Sequence, residues 1–91
     1  MIYTVTCNPS LDYIMELDSF FEGKTNRSRK ETICVGGKGI NVSIVLHEIG
    51  QETTAFLFAA GFVGDEIVRR MNASGIPSRI ISLPDGCSRI N

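Results

Sequence analysis

Apolar residues in this chain recur at two spacings, one suited to strands and one to helices. Ile2-Tyr3-Thr4-Val5-Thr6 is β-branched and aromatic, and Asn8-Pro9-Ser10 breaks it, which predicts a first strand. Tyr13-Ile14-Met15-Glu16-Leu17 reads as a short second strand and residues 26–35 as a third extended segment. Between them, Ser19 to Lys24 is a connection holding Phe20 and Phe21, either local core or an interface patch. Val42, Val45, Leu46 and Ile49 fall at helical spacing and predict a helix over 40–49 with those four on its buried face. Gly50 supplies its left-handed stop. Thr53 to Ala60 is uncharged and mostly apolar, as expected of a strand covered on both faces. Gly61 to Gly64 reads as a turn and Asp65 as the N-cap of a second helix, with Glu66 in its first turn. Ile67, Val68 and Met71 form its inward stripe, and Arg69 and Arg70 fall late, where a cation suits the dipole. Gly75 and Pro77 end it. Residues 79–83 are a further strand, Pro84-Asp85-Gly86 a turn, and 87–91 the start of one more.

Strands alternating with helices open an α/β series. Two helices cannot cover both faces of such a sheet, and a strand begun at 87–91 lacks a partner. The chain is therefore expected to be the first third or so of a larger α/β protein rather than a closed small domain.

The chemistry concentrates in Cys34-Val35-Gly36-Gly37-Lys38-Gly39-Ile40-Asn41-Val42. Glycines permit positive φ and close approach of the backbone to a bound group. The loop runs into a helix N-terminus, where unpaired N–H groups and the dipole favour an anion. Lys38 adds a positive charge and Asn41 a donor and an acceptor, so the stretch reads as a phosphate or polyol cradle. The competing reading is an ordinary glycine turn. Two known phosphate loops do not match. Ile40 stands where a P-loop needs Ser or Thr, and Val42 where a dinucleotide fingerprint needs glycine, which also counts against a dinucleotide-binding protein.

Outside the loop, Asp12 follows the first strand at the end where open α/β sheets place ligands, or else caps its own turn. Arg27, in a run with Arg29, Lys30 and Glu31, either belongs to a solvated face or aims at a substrate phosphate. His47 has no indicated partner and reads as a surface residue.

Length and charge narrow the class. The 91 residues suit at most one domain. Nine Lys and Arg against ten Asp and Glu leave a net charge of −1, without the basic patch that nucleic acid or an acidic membrane surface would require. No apolar run approaches the roughly 20 residues of a membrane span, and the start has no basic leader region. Three cysteines, at 7, 34 and 87, lack metal-site or disulfide spacing, and read as small buried hydrophobes in a reducing cytoplasm.

Together, Thr4 to Asp12 with its Asn8-Pro9-Ser10-Leu11-Asp12, Asn26-Arg27, Gly36-Gly37-Lys38-Gly39-Ile40-Asn41-Val42, Gly61-Phe62-Val63-Gly64 and Ser88-Arg89-Ile90-Asn91 resemble the N-terminal part of the ribokinase-like (PfkB) carbohydrate kinases, over the whole chain. The resemblance implies the start of a three-layer α/β/α sandwich with a small β-sheet lid formed by about 13–35 and 87–91. It is strongest to the sugar-phosphate branch. There the ATP γ-phosphate is transferred to a ketose phosphate, converting fructose 1-phosphate to fructose 1,6-bisphosphate, the alternatives being a tagatose-6-phosphate kinase or a 6-phosphofructokinase of the same family. It further implies that Asp12 binds sugar hydroxyls, that Gly36, Gly37 and Asn41 line the sugar site, and that Lys38 pairs with the substrate's phosphate, with Arg27 and Arg89 nearby. A homodimer through the lid is implied as well. The family's catalytic base lies in a Gly-Ala-Gly-Asp motif that these 91 residues lack. ATP and Mg2+ are implied chiefly for the C-terminal part, so this stretch alone is expected to be inactive. Cys7 stands where relatives have an aliphatic residue and Ser88 where they have Thr. The rival expectation is a non-catalytic piece that binds a sugar phosphate or pairs through its lid strands.

Overall fold

The computed structural model describes residues 1–91. Its strands are β1 (Ile2–Thr6), β2 (Ser10–Glu16), β3 (Lys30–Gly36), β4 (Thr53–Ala59), β5 (Ser78–Ser82) and β6 (Arg89–Ile90), and its helices are α1 (Lys38–Glu48) and α2 (Gly61–Ser74). They form two sheets, one ordered β1-β4-β5 and one ordered β3-β2-β6.

The first sheet is parallel throughout, with Ile2 opposite Thr53 and Ala55 opposite Ser78. Right-handed crossovers repeated in one direction place successive helices on the same face. Accordingly, Thr53, Ala55, Leu57 and Ala59 of β4 are buried, while Thr54, Phe56 and Phe58 on the other face are only partly covered. The core is Ile40, Ala55, Leu57, Val63, Ile67, Met71 and Ile76, and Leu11 and Val35 of the second sheet pack against it. The expectation that β4 would be covered on both faces is corrected for this chain. Tyr3 and Val5 on the open face are 63% and 64% exposed, and Tyr3 packs on Phe56 with ring centroids 5.7 Å apart.

Helix α1 does not bury the face its spacing predicts. Ile40 and Ser43 are its buried residues, whereas Val42, Val45 and Ile49 are 51%, 56% and 66% exposed. A chain of hydroxyls causes this: Ser43 Oγ lies 2.5 Å from Thr4 Oγ1 and 3.2 Å from Thr53 Oγ1. A buried serine with two partners satisfies its polar group where an apolar stripe would leave both threonines unpaired. The three cysteines are also corrected, since all are exposed.

Helix α2 begins at Gly61, four residues before the predicted Asp65 cap, and Ala60 is its N-cap. No side chain caps its first turn, and the loop before β6 instead anchors the N-cap residue: Ala60 N–H donates to Ser88 Oγ at 3.0 Å, and Ser88 N–H donates to the Ala60 carbonyl at 2.9 Å. Arg69 and Arg70 both bind Glu66 on the same helix rather than serving its last turn. Strand β2 starts at Ser10, three residues early, because it pairs antiparallel with β3 from Ser10 opposite Gly36 to Glu16 opposite Lys30. β6 joins its other edge in parallel, Ser10 opposite Arg89. Segments from both ends of the chain thus build one small sheet beside the helices. Phe20 and Phe21, in its connecting loop, are exposed.

Candidate functional site

The site grows from the place where the two sheets meet. Asp12 lies in β2 opposite Cys34, two residues from the end of β3. Ser10 Oγ donates to Asp12 Oδ1 at 2.7 Å, and Asn91 Nδ2 donates to the same oxygen at 3.2 Å. Asn91 is pinned by its backbone: its N–H donates to the Leu11 carbonyl at 2.9 Å, and its carbonyl accepts from Tyr13 N–H at 2.7 Å. Asp12 therefore holds a fixed orientation with Oδ2 unengaged. Asn91 and Ser10 were not singled out from the sequence. Both stand inside quoted motifs, but only the β2–β6 pairing shows that they orient the aspartate.

Gly36 makes room for this carboxylate, since a Cβ there would lie 2.2 Å from Asp12 Oδ2. Gly37, at φ +140°, turns the chain into α1, and a Cβ on it would lie 2.6 Å from Thr6 Cγ2. Gly39 lets the first turn of α1 settle on β1, since a Cβ there would lie 2.5 Å from Thr6 Oγ1. Gly36 thus makes room for Asp12, while Gly37 and Gly39 both make room for Thr6.

No side chain caps α1, so the N–H groups of its first turn face outward with the positive end of the dipole. In front of them is a cleft of about 230 Å3 lined by Thr6, Cys7, Asn8, Lys38 and Arg89 together with Gly37 and Gly39. The chain's ion pairs are Arg29–Asp18, Arg69–Glu66 and Arg70–Glu66, so neither Lys38 nor Arg89 is neutralised. Two free cations at an uncapped helix head form an anion-attracting concavity. Thr6 Oγ1, in the floor, is buried without a hydrogen-bond partner.

The other expected residues divide. Asn41 is exposed in the first turn of α1, its N–H held by the Gly37 carbonyl at 2.9 Å. Arg27 is not among the residues lining the Lys38 cleft; it lines a separate one of about 400 Å3 with Asp18, Asn26 and Arg29. Within the same loop, Arg29 pairs with Asp18 at 2.9 Å. His47 is exposed. No cluster of three or more His, Cys, Asp or Glu side chains is placed to hold a metal, and no helix is long and apolar enough to cross a membrane.

Comparison with known proteins adds to this geometry. The pattern of the pfkB family carbohydrate kinases matches residues 5–88. The 1-phosphofructokinase of Borreliella burgdorferi is 43% identical over 83 residues, 91% of this chain and 27% of that protein. The D-tagatose-1-phosphate kinase of Bacillus licheniformis is 35% identical over all 91 residues, 30% of its length. The crystal structure of phosphofructokinase-2 from Escherichia coli in complex with fructose-6-phosphate superposes with a TM-score of 0.87 at 27% identity, over 98% of this chain and 30% of that one. This chain thus spans under a third of the length of these proteins. A match along nearly every residue, on a fold that brings the quoted motifs other than Asn26-Arg27 to one end of the sheet, places the chain in the pfkB family of carbohydrate kinases.

Proposed function

We propose that this chain carries the sugar-phosphate site of a kinase that transfers the γ-phosphate of ATP to fructose 1-phosphate, giving fructose 1,6-bisphosphate. The observation that carries the reading is the shared cleft of unpaired Lys38 and Arg89 at the uncapped head of α1, with Asp12 held beside Gly36. The cations and the helix head take the phosphate already on the substrate. Asp12, with one carboxylate oxygen unengaged, accepts hydroxyls of the sugar, and Asn41 lies one turn into α1 as a further polar contact. Arg27 reaches the phosphate only if its loop folds inward over the cleft.

Phosphoryl transfer depends mainly on positioning and charge stabilisation. ATP, with its magnesium, supplies the transferred group. On this reading the chain's part is to bind and orient the acceptor sugar. The second sheet acts as a lid that keeps water from the transfer. Its apolar residues Tyr13, Ile14 and Met15 are exposed, which supports pairing between two copies through this sheet. Three free cysteines suit a reducing cytoplasm.

A second reading, a tagatose phosphate as acceptor, is favoured by the Bacillus licheniformis relative. A coupled assay of the intact protein against a panel of ketose phosphates tests both. Highest kcat/KM on fructose 1-phosphate is expected. Preference for a tagatose phosphate would transfer the assignment to the second reading, and indifference to all of them would remove the first.

A further inference from the structure

The second sheet meets the helical layer along a seam that opens to the surface as a cleft. Ile33 and Val35 of β3, Ile40 and Ile44 of α1, and Met71 of α2 line an apolar cleft of about 250 Å3, with Arg70 in its wall. One side chain spans this seam with a directed bond. Arg70 Nη1 donates to the Ile33 carbonyl at 3.0 Å, while its Nε donates to Glu66 Oε1, also at 3.0 Å. Ile33 pairs with Tyr13, one register step from the Cys34–Asp12 pair. The bond from α2 therefore lands next to the strand position that sets the aspartate.

Glu66 is claimed twice. Arg69 Nε donates to Glu66 Oε2 at 2.8 Å, and Arg69 contacts the other oxygen as well. If Arg70 leaves, Glu66 keeps a cationic partner, so no charge is stranded by the movement. β3 itself runs into Gly36-Gly37, and the φ of +140° at Gly37 is a backbone that glycine alone adopts readily. With an open apolar cleft along the seam and a glycine turn at the end of β3, the Arg70 bond is the directed side-chain link between α2 and this strand.

We propose that Arg70 is a positioning residue: parked on Glu66, it ties α2 to β3 through the Ile33 carbonyl and so fixes where the second sheet holds Asp12. The role rests on the sugar-phosphate reading given above. Arg70 touches no substrate, and it acts only through the strand.

Arg70→Met keeps the stem that lines the seam and removes the guanidinium. In the intact protein, hydrogen exchange at Thr32 to Cys34 is expected to quicken about fivefold, the loss of one ordinary hydrogen bond. KM for fructose 1-phosphate is expected to rise by about the same factor, with kcat changed less than twofold. Arg70→Lys, which keeps a cation with shorter reach, serves where the methionine variant does not fold, and is expected to move both quantities in the same direction by less. Unchanged exchange in the folded variant overturns the tie. Faster exchange with an unchanged KM overturns the positioning role. Absence of sugar-phosphate turnover by the unsubstituted protein would overturn the function proposed above. Exchange needs no substrate, so it would still decide whether the tie exists.

Discussion

Lys38 and Gly36 separate binding from folding at the scale of single residues. Lys38 is exposed and makes no ion pair, so removing it costs the fold little. A charged hydrogen bond to phosphate is worth about 1.5–3 kcal/mol, so Lys38→Met is expected to raise KM for the sugar phosphate about ten- to hundredfold without moving Tm. Steady-state kinetics with a thermal melt checks it, and an unchanged KM would reduce the loop to a turn. Gly36→Ala tests the other half of the site. Its Cβ would meet the far end of Asp12, 2.2 Å from Oδ2, so the carboxylate yields rather than the backbone. Stability should hold while sugar-phosphate affinity falls on the order of tenfold, by calorimetry, matching Asp12→Ala. The sequence marks this stretch as glycine-rich, but not that Gly36 makes room for Asp12 while Gly37 and Gly39 both make room for Thr6. Asp12 is 24 residues before Gly36, and only the β2–β3 pairing brings them together.

Among the elements, α1 and α2 differ in how far their residues announce their packing. In α2 the inward Ile67 and Met71 follow the apolar period and are buried as expected. In α1 the period points to Val42 and Val45, while the sheet takes Ile40 and Ser43. Serine between two threonines carries no hydropathy signal, and its place is set by partners on β1 and β4. Ser43→Ala would strand both buried hydroxyls and is expected to destabilise the protein by about 1–3 kcal/mol in denaturant unfolding. On α2, the hydrogen bond from Arg69, then its charge and the contact with Arg70, hold the Glu66 carboxyl at about 2 rather than 4.5. A depressed carboxyl stabilises the folded state above its unfolded value and loses that contribution as protons return. The stability gap between the protein and Glu66→Gln should therefore be constant above about 4.5 and shrink as pH falls toward about 2. Unfolding curves across that range measure it, and a gap independent of pH would show that the pair contributes nothing through ionisation.

At the scale of the whole molecule, a parallel sheet with helices on one face stands beside a small mixed sheet built from distant segments. Tyr13, Ile14 and Met15 leave that second sheet with exposed apolar surface, the kind of patch that marks an interface. On the proposed pairing through this sheet, the intact protein is expected to sediment as a dimer and Met15→Glu as a monomer with the far-ultraviolet spectrum retained. An unsubstituted protein that is monomeric would remove the pairing, and an unshifted dimer would place the interface elsewhere. The amino-acid order by itself determined the alternation of strands and helices, the glycine–lysine bend at the head of α1 and the family, because these depend on local backbone preference and on motifs contiguous in the chain. Tertiary structure alone decided that Ser10, Asp12 and Asn91 form one hydrogen-bonded cluster, that Lys38 and Arg89 share a cleft while Arg27 lines another, and that Ser43 rather than Val42 meets the sheet. Those outcomes depend on which strands pair across tens of residues, and pairing is settled by burial and hydrogen bonding summed over the assembled fold.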